Sequence, residues 1–395
     1  MNKLVGLLCI AVLLMVALAQ RDPSEIKVGF IYVGPIGDAG WTYAHDLGRQ
    51  ALEQALGVET IYVESVTEAD VELFIDQLVA EGANVIFTTS FGYGDGTLAA
   101  AERYPDVIFG HATGVERAPN MMTYIAEFYQ PYYINGLTAG ALTETNRIGY
   151  IAAFPIPEVK RHINAFAIGV SEVNPEAVVE VRWLFNWFDP AGAKEATEAL
   201  IAAGADVFAF SEDTPTVIQT AAERGFPSYS HYASMYVFSP ETIVSGQIAD
   251  WGVIYIDFVQ GIIDGTYTAT NLEEVDYFWR LGEGAVEAAA DPGMIINPAF
   301  EEALRGVTIE DPVLGEISVY ELVMTRVAQM TQTEPEFEPF TGPLSDCRGN
   351  LIYAEGEVAT EAELLSMQWA AANIIGPWSG GVTRDGSVRY EDCGN

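Results

Sequence analysis

Ten short apolar runs, rich in β-branched and aromatic residues, punctuate the chain between residues 27 and 249. They are KVGFIYV (27–33), TIYVESV (60–66), NVIFTTS (84–90), DVIFGHA (106–112), MMTYIAEF (121–128), RIGYIAAF (147–154), AVVEVRWLF (177–185), DVFAFSE (206–212), PSYSHYA (227–233) and TIVSGQIA (242–249). Several are almost continuously hydrophobic, as strands of a parallel sheet buried on both faces must be. Between them, helical periodicity predicts helices over 42–56, 69–81, 131–144, 158–173, 191–203 and 214–224. Strand and helix in alternation imply an α/β fold with parallel sheets covered on both faces. One phrase recurs: AEGANVIFTTSFG (80–92) and AAGADVFAFSEDT (202–214) both run from a helix end through Gly-Ala into a buried strand and a polar loop. This predicts two similar lobes. Beyond residue 265 the alternation weakens; DYFWRLGEGAVEAAA (276–290) reads as a late crossing strand, 331–343 as an extended surface segment, and 360–375 as a helix opened by a Thr360/Glu363 capping box.

Composition narrows the function. Half of the 395 residues are hydrophobic, and 56 acidic against 18 basic side chains leave a net charge of −38. Such a polyanion repels nucleic acid and anionic membranes. The acids are spread along the chain, as on a solvated acidic surface. At the N-terminus, Lys3, the apolar run LVGLLCIAVLLMVA and the small-residue site ALA (17–19) form a signal peptide, residues 1–19, with Gln20 as the new first residue. No cysteine stands at that site for lipid attachment. Cleavage would leave Cys347 and Cys393, a candidate disulfide in an oxidising compartment, with two free thiols as the alternative.

Catalytic signatures are missing. The four histidines are isolated, no G-x-S-x-G occurs, and SFGYGDG (90–96) lacks the G-K-[ST] of a phosphate loop. No metal, cofactor or enzymatic activity is therefore expected. The first strand ends in a turn with Gly34, Gly37 and Gly40 spaced G-x-x-G-x-x-G, which is not the dinucleotide spacing. Asp38 would also oppose a phosphate there; it either caps the next helix or accepts hydrogen bonds from a ligand. Trp41 offers a flat face. Other strand ends carry the same chemistry: Phe91 and Tyr93, then Glu158, then Asn186, Trp187 and Asp189, then Asp213, then Asp250 and Trp251. Ligands of open α/β sheets bind at the carboxyl ends of strands. Aromatic faces plus acceptors there suit a planar, N–H-rich ring better than a phosphate.

These stretches resemble the basic membrane protein family of ABC-transporter substrate-binding proteins, whose members bind purine nucleosides or bases. The resemblance lies in GPIGDAGWTYAHDLGR (34–49), TTSFGYGDG (88–96), IGYIAAFPIPEVKRHINAFAIGV (148–170), NWFDPAGAKEAT (186–197), IADWGVIYI (248–256) and GPLSDCRGNLIYAEGEVATEAELLSMQW (342–369), and spans about residues 26–375. It implies a type I periplasmic-binding-protein fold, two Rossmann-like lobes joined by hinge crossovers. Lobe 1 would hold 26–126 and about 250–280, lobe 2 would hold 127–249 and about 281–330, and 331–395 would be an extension packed on the lobes. It implies a ligand set of Asp38, Gly40, Trp41, Thr42, Phe91, Gly92, Glu158, Trp187, Asp213 and Trp251. Where many members read D-x-S-F-N, this chain reads DAGWT: Trp41 replaces the stacking phenylalanine and Thr42 the asparagine. That version resembles the branch associated with free bases such as adenine. The implied protein is a periplasmic monomer without a lipid anchor that serves an inner-membrane ABC permease. A receptor for another solute, such as a sugar or signalling molecule, is the alternative; a secreted nucleoside hydrolase would need an aspartate cluster that RDPSEIK and GDAG do not supply.

Overall fold

A computed structural model describes residues 20–332, 334–382 and 388–393. The expected signal peptide, residues 1–19, lies outside the described residues. Among those described, no helix is long and apolar enough to cross a membrane.

The first lobe is a sheet of β1 (Lys27–Ile31), β2 (Glu59–Val63), β3 (Val85–Thr88), β4 (Ile108–Ala112) and β5 (Met121–Ala126). The chain then builds the second lobe from β6 (Arg147–Ala152), β7 (Val178–Trp183), β8 (Val207–Ser211), β9 (Ser228–Tyr232) and β10 (Ile243–Ala249). All ten apolar runs are strands. Two late strands, β11 (Asp276–Trp279) and β12 (Val286–Ala288), come from the stretch read as a crossing strand. β11 joins the first lobe beside β5 and β12 joins the second beside β10, so the chain does cross there.

The lobes have the same order. In lobe 1 it is β11-β5-β4-β3-β1-β2, all parallel. In lobe 2 it is β12-β10-β9 followed by β8-β6-β7, the two parts joined where Phe208 N–H donates to the Pro227 carbonyl at 2.9 Å. The repeated phrase thus occupies β3 and β8, equivalent positions. Period-two burial fixes which side each residue takes: Val85 and Phe87 enter one core layer, while Ile86 enters another with Ile75 and Leu78.

Helices α1 (Trp41–Leu56), α2 (Val71–Ala80), α3 (Gly94–Arg103), α4 (Tyr129–Leu142), α5 (Pro157–Val173), α6 (Pro190–Ala202), α7 (Thr216–Ala222) and α8 (Trp251–Ile263) cover the sheets. α4 and α5 touch backbone to backbone, because Gly136 and Gly169 carry no Cβ; one added to Gly136 would lie 2.1 Å from the Phe166 carbonyl oxygen. At the crossover into α4, buried Glu127 binds the Arg161 guanidinium and lies 3.4 Å from His162 Nε2. Arg161 also donates to the Leu364 carbonyl at 2.7 Å, tying hinge, α5 and C-terminal segment together.

Two expectations for the C-terminal region need correction. The helix over 360–375 ends at Leu365, although its capping box forms as read. Beyond it, tertiary partners take the backbone groups that a helix would use: Asn164 bonds Trp369 O and Ala371 N–H, and Cys347 N–H bonds Ala370 O. Ile374 and Ile375 then pair with β7 and cover its edge. The 331–343 stretch is not only surface, since Phe340 is buried and Glu338 bonds the Tyr129 hydroxyl at 2.8 Å. The disulfide between Cys347 and Cys393 is formed.

Candidate functional site

A chamber of about 270 Å³ lies between the lobes, at the carboxyl ends of their strands. Lobe 1 contributes Val33, Trp41, Ser90, Phe91 and Thr113; lobe 2 contributes Glu158, Trp187, Asp213 and Tyr232. The lobes meet beside it. A Cβ on Gly40 would stand 3.4 Å from the Asp213 Cα, an ordinary contact distance, so the two backbones pass close together here.

The opening turn holds its polar groups inward. Ala39 takes a left-handed φ of 62°, which folds the Asp38 carboxylate back over the start of α1. There it accepts from the N–H groups of Gly40 at 2.8 Å, Thr42 at 2.8 Å and Tyr43 at 3.0 Å. The orphan donors of the helix start are thereby satisfied. Burial still raises the Asp38 carboxyl above its ordinary value, against these three donors. The Thr42 hydroxyl accepts from Gly34 N–H at 3.1 Å. Asp38, Gly40 and Thr42 brace the turn and do not line the chamber. Gly92 stands outside it too, packed against Glu68: a Cβ at Gly92 would fall 1.8 Å from Glu68 Oε1.

Trp41 forms a wall of the chamber. Its indole N–H donates to the Thr89 carbonyl at 2.6 Å, which fixes the ring. Tyr232 meets it edge-on at 4.8 Å between centroids. Trp251 is fully buried behind, edge-on to Trp41 at 5.1 Å and stacked on His45 at 4.0 Å. Trp251 therefore supports Trp41 rather than lining the cavity.

The two acids of the chamber, Glu158 and Asp213, have no ion-pair partner among the described residues. Pro157 starts α5 and places Glu158 in its first turn. Burial pushes the Glu158 carboxyl up to about 8; Arg161 opposes the rise and the Glu127 charge adds to it. Asp213 follows β8, with its N–H bonded to the Trp187 carbonyl at 2.7 Å. Its Oδ1 is buried without a partner. Burial, then the charges of Asp38, Glu212 and Glu158, hold its carboxyl well above the usual carboxylate range. Burial thus favours the neutral form of both groups, and a neutral carboxyl offers an O–H donor beside an acceptor oxygen.

Sequence reasoning passed over Val33, Ser90, Thr113 and Tyr232. Thr113 and Tyr232 share a signal that only the backbone carries. They end equivalent strands, β4 and β9, and both adopt left-handed φ, 58° and 59°. Strained non-glycine residues persist where the surroundings fix them, often at ligand sites. Among the described residues, no group of three His, Cys, Asp or Glu side chains is placed to hold a metal ion.

Comparison with known proteins agrees with this geometry. Residues 25–320 match the family described as ABC transporter substrate-binding protein PnrA-like. A purine-binding protein of Brucella abortus is 37% identical over 90% of this chain and 95% of its own length. A putative ABC transporter glucose-binding protein of Haloferax volcanii is 42% identical over 74% of each chain. Among solved structures, an ABC transporter solute-binding protein from Aeropyrum pernix superposes with a TM-score of 0.60 at 21% identity, over 76% of this chain and 85% of its own. One from Conexibacter woesei gives 0.58 at 18% identity, over 79% of this chain and 100% of its own. With the motifs in place, the two lobes formed and the chamber between them, the chain belongs to the PnrA-like family of ABC-transporter substrate-binding proteins.

Proposed function

We propose that this protein captures a purine base of the adenine type between its lobes and presents it to an ABC permease. The observation that carries the reading is the pairing of aromatic walls with two buried acids, Glu158 and Asp213, in one chamber, where burial favours their neutral forms. A protonated carboxyl matches the ring-N and N–H edge of a purine, donating to one and accepting from the other. Trp41, Phe91, Trp187 and Tyr232 supply faces for the ring. The Brucella abortus relative supports the ligand class.

In the cycle that follows from this, the open lobes admit the base from water, and closure brings Gly40 against Asp213 and buries the ring. The permease reads the closed form. The signal peptide would deliver the protein outside the cytoplasmic membrane, where it would act as a monomer. Asp38 acts here through the turn it caps and through its charge on Asp213, and Trp251 through the support it gives Trp41.

A sugar is the second reading, favoured by the name of the Haloferax volcanii relative. One titration series decides between them, with adenine, guanine, hypoxanthine, xanthine, adenosine and glucose in a calorimeter. The purine reading expects a base to bind below ~100 μM, about −5.5 kcal/mol. Glucose binding at that level with no purine response would overturn it.

A further inference from the structure

The inner chamber has an antechamber. A second cavity, with about 1,280 Å³ of open space, sits at the outer mouth of the cleft and shares Val33, Phe91 and Trp187 with the chamber. Those three side chains stand between the two spaces. The far side of the antechamber comes from lobe 2 and includes Phe154 and Phe188. Phe154 packs against Trp187 at 5.4 Å between centroids. Phe91 and Phe188 are each 40% exposed. Large aromatic side chains left facing water together, at the entrance to a ligand chamber, mark a contact surface more than a packing accident.

We propose that the antechamber is a second subsite, which takes an aromatic or apolar substituent carried on the base held inside. The ligand class then widens from free purines to N-substituted purines. Three observations support that occupant. The two cavities are adjacent and share Val33, Phe91 and Trp187 as wall residues, so a substituent on a base in the chamber would reach the antechamber past Phe91 and Trp187. The chamber itself is too small to enclose a second ring beside the purine. The antechamber is two-sided: Phe154, Trp187 and Phe188 present aromatic faces on the lobe 2 side, where the Asn186 side-chain oxygen is occupied by Phe188 N–H at 3.2 Å, while Ser65, Thr67 and Glu68 line the opposite side. Phe91 is the side chain placed to yield, because its exposed ring can swing outward without opening the core.

This inference rests on the purine reading, and the test separates the two. Adenine, N6-benzyladenine and 9-benzyladenine are titrated into the wild-type protein and into Phe188→Ala, whose altered side chain lies on the surface and outside the inner chamber. The expected result is that at least one benzyl derivative binds within tenfold of adenine or tighter. Phe188→Ala should weaken that derivative fivefold or more and leave adenine within twofold. If both derivatives bind more than tenfold weaker than adenine, the aromatic lips only seal the chamber and the subsite is wrong. Equal losses for adenine and the derivative in Phe188→Ala would also reject it. Failure of adenine and both derivatives to bind removes the purine reading itself, and the subsite with it.

Discussion

Glu127 at the hinge and Glu158 in the chamber are both buried, and both feel Arg161, yet they end in opposite states. Burial raises each carboxyl. At Glu127 the guanidinium of Arg161 is in direct contact and His162 is close by; together they outweigh burial and hold the group at about 2. At Glu158 only the longer-range field of the same guanidinium arrives, and the group sits at about 8. A chain with 18 basic side chains against 56 acidic ones has few cations to place in its interior. One goes to the crossover between the lobes. The acids of the chamber are left without one. A buried acid with a full set of partners is structural; one in a cleft whose partners are missing is a candidate for ligand contact.

The largest effect should come from breaking the hinge side of this pair. Arg161→Met leaves Glu127 buried with no guanidinium and removes the bond to the Leu364 carbonyl. Loss of one partner from a buried pair costs about 3–5 kcal/mol. Urea denaturation should show that loss, and a change below about 1 kcal/mol would mean the crossover does not depend on the pair.

Next comes a contrast between two aspartates that the sequence could not tell apart. Asp38→Ala strips three backbone N–H groups of their acceptor, so it should cost about 1–2 kcal/mol of stability, the range for losing a helix cap. Asp213→Ala removes a buried acid that feels the charges of Asp38, Glu212 and Glu158, so stability should hold or rise. Its loss should appear in adenine affinity, weakened about tenfold or more, since a hydrogen bond to a buried partner contributes about 1–3 kcal/mol. If Asp38→Ala hurts binding more than folding, the roles assigned to the two residues are reversed.

That contrast also marks how far the sequence could be read. The strands were legible because a parallel strand buried on both faces must be a mostly apolar run, as β3 and β4 are. The two lobes were legible because the phrase at β3 returns at β8. Direction was not. Asp38 and Asp213 both follow a strand, and composition is the same whether a carboxylate folds back on its own turn or points into a cavity. The left-handed φ of Ala39 decides the first case and the contact with Gly40 bears on the second; neither is encoded locally. Trp41 and Trp251 both start helices at strand ends, yet one lines the chamber and the other lies behind it. The C-terminal helix ended early for a tertiary reason too: its residues favour helix, but Asn164, some 200 positions earlier, claims their backbone groups.

The smallest effect is a titration, and its sign separates the two glutamates most sharply. Glu127 lies below its ordinary 4.5, so its contribution to stability is present above pH 4.5 and is lost as pH falls toward 2. Glu158 lies above 4.5, so its contribution is complete below that value and is lost as pH rises through about 8. In an open form, with Glu158 in water, the carboxyl ionises near its ordinary value; closure over a base raises it. Between pH 4.5 and 8, ligand binding should therefore take up protons, and affinity should fall as pH rises. Calorimetry of adenine binding at pH 7 in buffers of different ionisation enthalpy measures the uptake directly. Glu158→Gln is always neutral, so it should lower the uptake by about one proton and flatten the pH dependence, while changing affinity at pH 5 by less than about threefold. Asp213 remains in that variant and accounts for any uptake that persists. An unchanged proton count would show that Glu158 keeps the same charge in both forms, and the chamber would then be holding a carboxylate that accepts the ligand's N–H groups instead of an acid that donates to its ring nitrogen.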